Sequence, residues 1–467
     1  MDVPEQDSEA ADLMVIFGIT GDLAKKMTFR ALYNLERREL LTFPIVGVAS
    51  NPLSAAQLQQ LARESIAGTG QDVDDAVFKR LAGRFSYVHG DVTDAAVYKS
   101  LARKVGRSKT PLYYLEVPPS LFGPIVDQLA AAKLLRDGRV AVEKPFGHDL
   151  ESARELNDRL HRHLREGQIL RVDHFLAKQP VIELEYLRFA NIGLAEVWDR
   201  NTVSAMQITM AEDFGVAGRG RFYDGVGALR DVVQNHLLQV LSLVAMEPPS
   251  GGSASDVQDK KAEVFKAMPA ASPKTYVRGQ YKGYTDDPDV SARSTTETFV
   301  ALRLEIDNWR WAEVPIFLRA GKQLPERVTE VRLTMRRTPR LAFLPNLDRA
   351  DPNEIVLRID PDPGMRLQLT ALAGKSWRRV ELDTSFAMDL GTPMEPYEVL
   401  LHAAAVGDHQ FFARWDSVEE MWRIVQPLLD DPPEVRPYAP GSWGPSAADS
   451  LVRGHPRWQS PWLPAQG

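Results

Sequence analysis

Short apolar runs alternate with longer amphipathic stretches along the first third of the chain. The apolar runs have the length of single buried strands and cover residues 13–18, 44–49, 85–89, 111–116, 139–143 and 169–172. The amphipathic stretches repeat with the helical period and cover residues 24–39, 54–66, 95–104, 121–132 and 150–164. Strands that alternate with helices in this way predict a Rossmann-like, doubly wound parallel sheet of the α/β class.

The pattern changes near residue 175. Helical stretches follow, one of them at residues 225–246, and the chain then becomes mostly strand-like. Apolar residues alternate there with polar ones, as at Val331, Leu333, Met335, Ile355, Leu357 and Ile359. A period of two puts apolar side chains on one face of a strand and polar ones on the other, which is typical of an antiparallel sheet. We therefore predict a Rossmann-like domain at residues 1–175 and an α+β domain with a large, mostly antiparallel sheet at residues 176–467.

Composition narrows the class of partner. The chain has 467 residues and a net charge of −7 with acids and bases interspersed, so it lacks the basic surface that nucleic acids require. It contains no cysteine, which excludes disulfides and cysteine nucleophiles. Residues 1–12 are acidic and polar, unlike a secretory signal, and the longest apolar run, residues 237–246, is about half the length of a membrane span. We expect a cytoplasmic protein with no nucleic-acid or membrane partner.

A glycine-rich turn follows the first predicted strand. It reads Gly18-Ile19-Thr20-Gly21-Asp22-Leu23-Ala24 and leads directly into a helical pattern. Glycines let the backbone turn sharply and approach a diphosphate, and the helix start offers unpaired N–H groups. The spacing differs from the common three-glycine fingerprint, so a turn that merely ends a strand is the alternative. As a cofactor site, the turn would use Gly18, Thr20, Gly21, Asp22 and Leu23.

Three further segments depart from ordinary surface composition. They are 143–147 (EKPFG), 171–178 (RVDHFLAK) and 230–236 (RDVVQNH). With the glycine turn, and with 221–247, 280–287 (QYKGYTDD), 319–322 (RAGK) and 422–429, they form an ordered set that resembles the glucose-6-phosphate dehydrogenase family. The resemblance implies hydride transfer from C1 of glucose 6-phosphate to NADP without a metal, in a homodimer or homotetramer. It also gives the second domain the roles of substrate binding and oligomerisation.

His236 is the candidate general base. On a helix from Gly225 it would share a stripe with Leu229 and Val233, so a buried core histidine is the alternative. Such a base needs a carboxylate on its other ring nitrogen. Asp231, five residues away, would point about 140° away on an α-helix. The resemblance assigns the base to His236 and the orienting carboxylate to Asp173.

The resemblance also implies the substrate contacts. His174 and Lys178 would bind the phosphate, and Lys144 would lie between cofactor and substrate. The sugar hydroxyls would be contacted by Glu212, Asp231, Lys322 and Arg327. On sequence alone these residues also suit ordinary charged positions at the ends of helices and strands.

Three positions depart from the family pattern. Ser50 stands where NADP-using members place an arginine, and residues 48–52 contain no acid to bind the free ribose of NAD, so NADP remains the expected cofactor with NAD as an alternative. Glu116 replaces a small residue in a region that lines the cofactor, where a carboxylate would either repel a phosphate or contact ribose. Phe175 replaces a tyrosine and removes one hydroxyl near the substrate phosphate. The remaining expected cofactor contacts are Asp91, Val92 and Pro118.

These departures keep two other functions open. One is a catalytically degenerate paralogue that acts as a regulatory or assembly subunit. The other is a dehydrogenase for a related phosphorylated sugar.

Overall fold

The strands of the computed structural model account for both predicted sheets. The structure describes residues 10–339, 343, 350–374, 376–386 and 394–463, so most of the acidic N-terminal segment lies outside it. In chain order the strands are β1 (Leu13–Phe17), β2 (Ile45–Ala49), β3 (Phe85–His89), β4 (Pro111–Leu115), β5 (Arg139–Glu143), β6 (Ile169–Val172), β7 (Val203–Ala211), β8 (Tyr276–Tyr281), β9 (Phe299–Leu304), β10 (Ile316–Gly321), β11 (Val328–Met335), β12 (Glu354–Asp360), β13 (Gly364–Ala373), β14 (Ser376–Ser385), β15 (Phe412–Ala413) and β16 (Val435–Tyr438).

Helices fill most of the intervals between strands. They are α1 (Phe29–Arg37), α2 (Ala55–Gly68), α3 (Asp75–Arg84), α4 (Ala95–Val105), α5 (Phe122–Ala131), α6 (Leu150–His161), α7 (Gln179–Phe189), α8 (Ile192–Ala195), α9 (Gly220–Asp224), α10 (Leu238–Ala245), α11 (Ala254–Lys266), α12 (Pro396–Val406) and α13 (Trp415–Asp430). Two π-helical segments, Ala24–Thr28 and Leu229–Leu237, precede α1 and α10. Among the described helices, none combines the length and the apolar content needed to cross a bilayer.

The chain forms two compact units, and each is discontinuous in sequence. The first comprises residues 1–178, 250–258 and 394–419, and the second comprises residues 179–249, 259–393 and 420–467. The sequence predicts one boundary, at residue 175. In the structure, the two later segments 250–258 and 394–419 also belong to the first unit. The assignment of residues 1–175 and 176–467 to functional domains stays a prediction.

The first unit is built on a seven-stranded sheet with the order β15-β6-β5-β4-β1-β2-β3. Strands β1 to β6 pair in parallel, which confirms the Rossmann-like prediction. The edge strand β15 pairs antiparallel to β6 and was not expected from the sequence. Arg139 fixes the returning segment by donating to the carbonyl oxygens of Ala404 and Ala405 in the last turn of α12. A cation suits this end of a helix because the terminal carbonyls lack intrahelical partners.

The second unit contains a nine-stranded, mostly antiparallel sheet, as predicted, with the order β14-β13-β12-β11-β7-β10-β9-β8-β16. The period-two alternation on β11 predicts one buried face and one solvent-exposed face. The structure differs, because the side chains on both faces of β11 are buried. Val331 and Leu333 lie on the apolar face, whereas Glu330 and Arg332 on the polar face are each 3% exposed. The C-terminal segment contacts this polar face, where the backbone N–H of Trp462 donates to Glu330.

Candidate functional site

The glycine turn after β1 leaves no room for side chains where the backbone bends. Gly18 has a φ of +83°, and a Cβ there would lie 2.1 Å from the carbonyl oxygen of Glu116. A Cβ at Gly21 would lie 3.0 Å from the carbonyl oxygen of Gly18. Asp22 is exposed, and Leu23 is the residue immediately before the π-helical segment Ala24–Thr28. A close-approaching backbone followed by a helix start fits the diphosphate of a dinucleotide.

The ends of β1, β2 and β3 are joined by side-chain hydrogen bonds. Thr20 Oγ1 donates to Asn51 Oδ1 at 2.7 Å, which links the glycine turn to the loop after β2. Tyr87 donates from its hydroxyl to the carbonyl oxygen of Asn51 at 2.7 Å. The ring of His89 lies 3.1 Å, by Nε2, from the carbonyl oxygen of Ser50. Thr20 and Ser50, both expected at the cofactor, therefore belong to one connected group.

The other expected cofactor residues lie in nearby loops of the same sheet. Asp91 Oδ1 accepts hydrogen bonds from the backbone N–H and the hydroxyl of Thr93. These bonds lower the pKa of the Asp91 carboxyl. The carbonyl oxygen of Val92 accepts from Tyr98. Pro118 is exposed and precedes a short 3₁₀ helix after β4.

Glu116 turns its carboxyl into the first unit. Thr28 Oγ1 donates to Oε1, while Oε2 is buried with no hydrogen-bond partner among the described residues. Burial raises the pKa of Glu116 to about 8, opposed by the Thr28 bond and reinforced by the charge of Glu143. Because the carboxyl is then mostly protonated near neutral pH, it carries little of the charge that would repel a cofactor phosphate.

Glu143 and Tyr397 form a polar contact that sequence analysis does not single out. Tyr114 donates to Glu143 Oε1 at 2.5 Å, and Tyr397 forms a second side-chain hydrogen bond to this carboxyl. Burial raises the pKa of Glu143 to about 7, while the Tyr114 bond and the charge of Lys144 lower it. Glu143 ends β5 beside Lys144, so its place at the carboxyl edge of the sheet is a usable signal. Tyr397 lies on α12, and no local sequence pattern predicts that this helix packs back against the rest of the first unit.

The segment after β6 carries three predicted residues. Asp173 is 2% exposed, and its Oδ1 accepts from the backbone N–H of Phe175 at 3.0 Å, which caps the short helix His174–Ala177. The ring of His174 stacks on Tyr397 at 6.3 Å between centroids. The ammonium of Lys178 lies 3.9 Å from the centroid of the Phe175 ring. Phe175 thus lacks a hydroxyl but gives Lys178 a cation–π contact.

His236 lies in the second unit on a π-helical segment instead of the predicted α-helix. It is 2% exposed, and its backbone N–H donates to Asn235 Oδ1 at 2.7 Å. In a π-helix, hydrogen bonds join residues five apart, so Asp231 and His236 lie about one turn apart. On an α-helix the side chains of Asp231 and His236 would point about 140° apart, which counts against Asp231 as the carboxylate partner of His236. That angle assumes an α-helix and does not apply to a π-helix. π-helical turns occur frequently at functional sites.

Glu212 and Lys322 form an ion pair where β7 and β10 end. Lys322 Nζ lies 2.5 Å from Glu212 Oε2, and the ammonium is also about equally distant from two aromatic rings, 5.2 Å from Phe214 and 5.1 Å from Tyr223. Arg327 is instead exposed and lies 3.5 Å from a carboxylate oxygen of Asp360 on β12. The structure therefore joins Glu212 to Lys322 and gives Arg327 a different carboxylate partner.

Two family models match almost the whole chain. The NAD binding domain of glucose-6-phosphate dehydrogenase matches residues 15–182, and the C-terminal domain of the same enzyme matches residues 185–459. The glucose-6-phosphate 1-dehydrogenase 1 of Mycobacterium tuberculosis is 68% identical over 455 residues, which cover 97% of each chain. The glucose-6-phosphate 1-dehydrogenase of Aggregatibacter actinomycetemcomitans is 38% identical and covers 96% of this chain and 97% of its own.

Solved structures agree with these matches. The crystal structure of glucose-6-phosphate 1-dehydrogenase from Mycobacterium avium has 66% identity and a TM-score of 0.93, and the match covers 98% of this chain and 100% of that one. A glucose-6-phosphate dehydrogenase in complex with glucose 6-phosphate has 33% identity and a TM-score of 0.90, with 97% and 99% covered. With two domain models in order and similarity over nearly its full length, the chain belongs to the glucose-6-phosphate dehydrogenase family.

Proposed function

We propose that this chain oxidises C1 of glucose 6-phosphate, with NADP as hydride acceptor and 6-phosphogluconolactone as product, the first step of the pentose phosphate pathway. The observation that carries the proposal is the match of both family domains over nearly the whole chain. Asp173, His174, Lys178 and His236 are the residues to which the resemblance assigns catalysis and phosphate binding. Nothing in the described residues favours a regulatory subunit or a related sugar phosphate.

The reaction breaks the O1–H and C1–H bonds and forms the C1=O bond. His236 takes the proton from O1 as general base. When bound, the nicotinamide of the cofactor accepts the hydride with its electron pair. Asp173 orients the imidazole of His236 and stabilises its charged form. The burial of both side chains, 2% exposed each, supports this role because water competes little for their hydrogen bonds.

His174 and Lys178 bind the substrate phosphate in this proposal. Both are cationic or hydrogen-bond donating groups, as a dianion requires. Phe175 holds the Lys178 ammonium near its ring face, which limits the positions of the charge. Lys144, at the end of β5, lies between cofactor and substrate.

The sugar hydroxyls are bound by Glu212, Asp231 and Lys322. Glu212 supplies acceptors and Lys322 supplies donors, and their ion pair holds each in place. Arg327, with its charge directed to Asp360, is the weakest member of the set.

The cofactor lies over the glycine turn, with its diphosphate at Gly18, Thr20, Gly21, Asp22 and Leu23. Asp91, Val92 and Pro118 complete the adenosine and nicotinamide contacts. Ser50 provides only a hydroxyl at the adenosine ribose, so this residue by itself gives NADP only a small preference over NAD. A homodimer or homotetramer, a cytoplasmic location, and independence of metal complete the proposal.

The direct test measures reduced-cofactor absorbance with glucose 6-phosphate and with NADP or NAD supplied separately. We expect turnover with glucose 6-phosphate and far less with free glucose or with fructose 6-phosphate. The control is His236→Asn, which keeps a polar side chain but cannot act as the base. Wild-type protein that binds NADP and yet shows no turnover with glucose 6-phosphate would contradict the proposal.

A further inference from the structure

The carboxyl end of β2 decides which nicotinamide cofactor a Rossmann-like fold accepts. The adenosine ribose lies there, and an acid binds the 2′-hydroxyl of NAD whereas an arginine accommodates the 2′-phosphate of NADP. This chain has neither at residues 48–52, which read Val48-Ala49-Ser50-Asn51-Pro52. A preference for NADP therefore needs a cation from another element.

His89 is placed at this position from the neighbouring strand. Strands β2 and β3 pair in parallel, with Ala49 opposite His89. The His89 side chain is exposed, and its Nε2 lies 3.1 Å from the carbonyl oxygen of Ser50. A carbonyl oxygen can only accept, so Nε2 carries the hydrogen and Nδ1 is the other ring nitrogen. The ring is thus attached to the residue where the family places its arginine.

The loop after β2, whose Ser50 carbonyl oxygen the His89 ring contacts, is held by neutral groups. Thr20 Oγ1 donates to Asn51 Oδ1, and Tyr87 donates to the carbonyl oxygen of Asn51, both at 2.7 Å. With its Oδ1 already occupied, Asn51 presents its NH₂ as a further neutral donor. Neutral donors can bind both a ribose hydroxyl and a phosphate, so they discriminate between NAD and NADP less than a cation does.

The other charged groups near this edge are less directed. Lys25 and Lys26 are exposed on the π-helical segment after the glycine turn. Asp91 follows His89 by two residues, but its Oδ1 accepts from the N–H and the hydroxyl of Thr93. Its carboxylate is thereby engaged in its own turn.

We infer that His89 is the specificity residue for NADP. With the 2′-phosphate bound, its ring donates from Nε2 to the Ser50 carbonyl oxygen and from Nδ1 to the phosphate, an arrangement that requires a hydrogen on both ring nitrogens. NAD, which has a hydroxyl at that position, gains no charge-assisted bond. The inference rests on the proposed function, since it concerns the cofactor of that reaction. Loss of one charge-assisted hydrogen bond reduces affinity by about ten- to a hundredfold.

The test is calorimetric titration of wild-type protein and His89→Ala with NADP and with NAD at one salt concentration. We expect the Kd for NADP to rise about tenfold or more, with the Kd for NAD unchanged within about twofold. His89→Gln, which keeps a neutral donor without the charge, should recover little of the lost affinity. The charge-restoring variant Ser50→Arg in the His89→Ala background should restore NADP binding without changing NAD binding.

Tyr87→Phe is the matched control, because it removes a hydroxyl that holds the same loop and leaves the imidazole in place. It should change the affinities for NADP and NAD by the same factor. Equal losses for both cofactors in His89→Ala would show a purely structural role and overturn the inference. No loss for either would also overturn it and would point to Lys25 or Lys26. NAD-linked turnover of glucose 6-phosphate is measured in every variant, so a failure of the proposed function would be seen separately.

Discussion

Glu116 should make the stability of the protein depend on pH in a direction opposite to that of an ordinary carboxylate. Its pKa is raised from 4.5 to about 8, mainly because the carboxyl is buried beside Thr28 with one oxygen unpartnered. The folded protein therefore keeps a proton that the unfolded chain has already lost. Its contribution to stability is fully present below about pH 4.5 and is lost as the pH rises toward about 8.

The magnitude follows from the two pKa values of Glu116. Each pH unit between them lowers the free energy of unfolding by about 1.4 kcal/mol. Between about pH 5.5 and about pH 7.5, Glu116 should cost the folded state about 2.5 kcal/mol. Glu116→Gln keeps the shape and the acceptor for Thr28 but does not titrate, so it should be free of this cost.

The assay is thermal unfolding of wild type and Glu116→Gln across that pH range. For a unit of this size about 1 kcal/mol corresponds to roughly 2–4 °C in Tm. The Tm difference between Glu116→Gln and wild type should therefore be roughly 5–10 °C larger, in favour of the variant, at about pH 7.5 than at about pH 5.5. Glu155→Gln, at an exposed position on α6, is the matched control and should leave the pH profile unchanged. Parallel curves for wild type and Glu116→Gln would refute the reasoning, since they would mean that the buried carboxyl has the same pKa in both states.

The remaining predictions concern chemistry and cofactor. His236→Asn should lower kcat by about 10²–10⁴-fold with KM largely retained, and steady-state kinetics that show more than about a third of wild-type turnover would exclude it as the base. Lys178→Ala should raise KM for glucose 6-phosphate far more than it affects the weak use of free glucose, and equal effects on both sugars would exclude a phosphate contact. Ser50→Arg should raise the ratio of kcat/KM for NADP over NAD by about tenfold, because the guanidinium adds a second charge-assisted bond beside that of His89, and an unchanged ratio would contradict the addition of these two contacts. Gly18→Ala should abolish dinucleotide binding in calorimetry, because its Cβ would lie 2.1 Å from the carbonyl oxygen of Glu116, and wild-type affinity would contradict this.

The N-terminal sheet could be predicted closely because its signals are local. Strands β3, β5 and β6 begin and end at the predicted residues, where apolar runs meet helical patterns. Helix α3 was missed, although Asp74 caps it by accepting from the N–H groups of Ala76 and Val77. An N-cap acid followed by apolar residues at helical spacing, here Phe78 and Leu81, predicts a helix at this place.

Long-range returns of the chain could not be predicted in this way. Strand β15 has only two residues, too few for a pattern, and it joins the first sheet through pairing with β6. Tyr397 reaches Glu143 from a helix more than two hundred residues along the chain. Such contacts depend on tertiary packing, and the periodicity of apolar residues within one segment does not show which distant segment it will pack against. The π-helical turn at His236 is a further case, since its residues also satisfy an α-helical pattern.

The hardest distinction is between ion pairs that hold the fold and ion pairs that can bind a ligand. Arg332 lies on β11 and donates to Glu330, Glu354 and the carbonyl oxygen of Ser460. Both of its carboxylate partners are 4% exposed or less, so its bonding capacity is used within the protein. Lys322 directly follows β10. Its ammonium has three hydrogens but, among the described residues, a single hydrogen bond, to Glu212, whose side chain is 27% exposed. The sequence does not show this difference, because Glu212 and Lys322 lie 110 residues apart along the chain. Only the structure shows that this partly exposed pair keeps hydrogen-bonding capacity of the kind that the proposed contacts with sugar hydroxyls require.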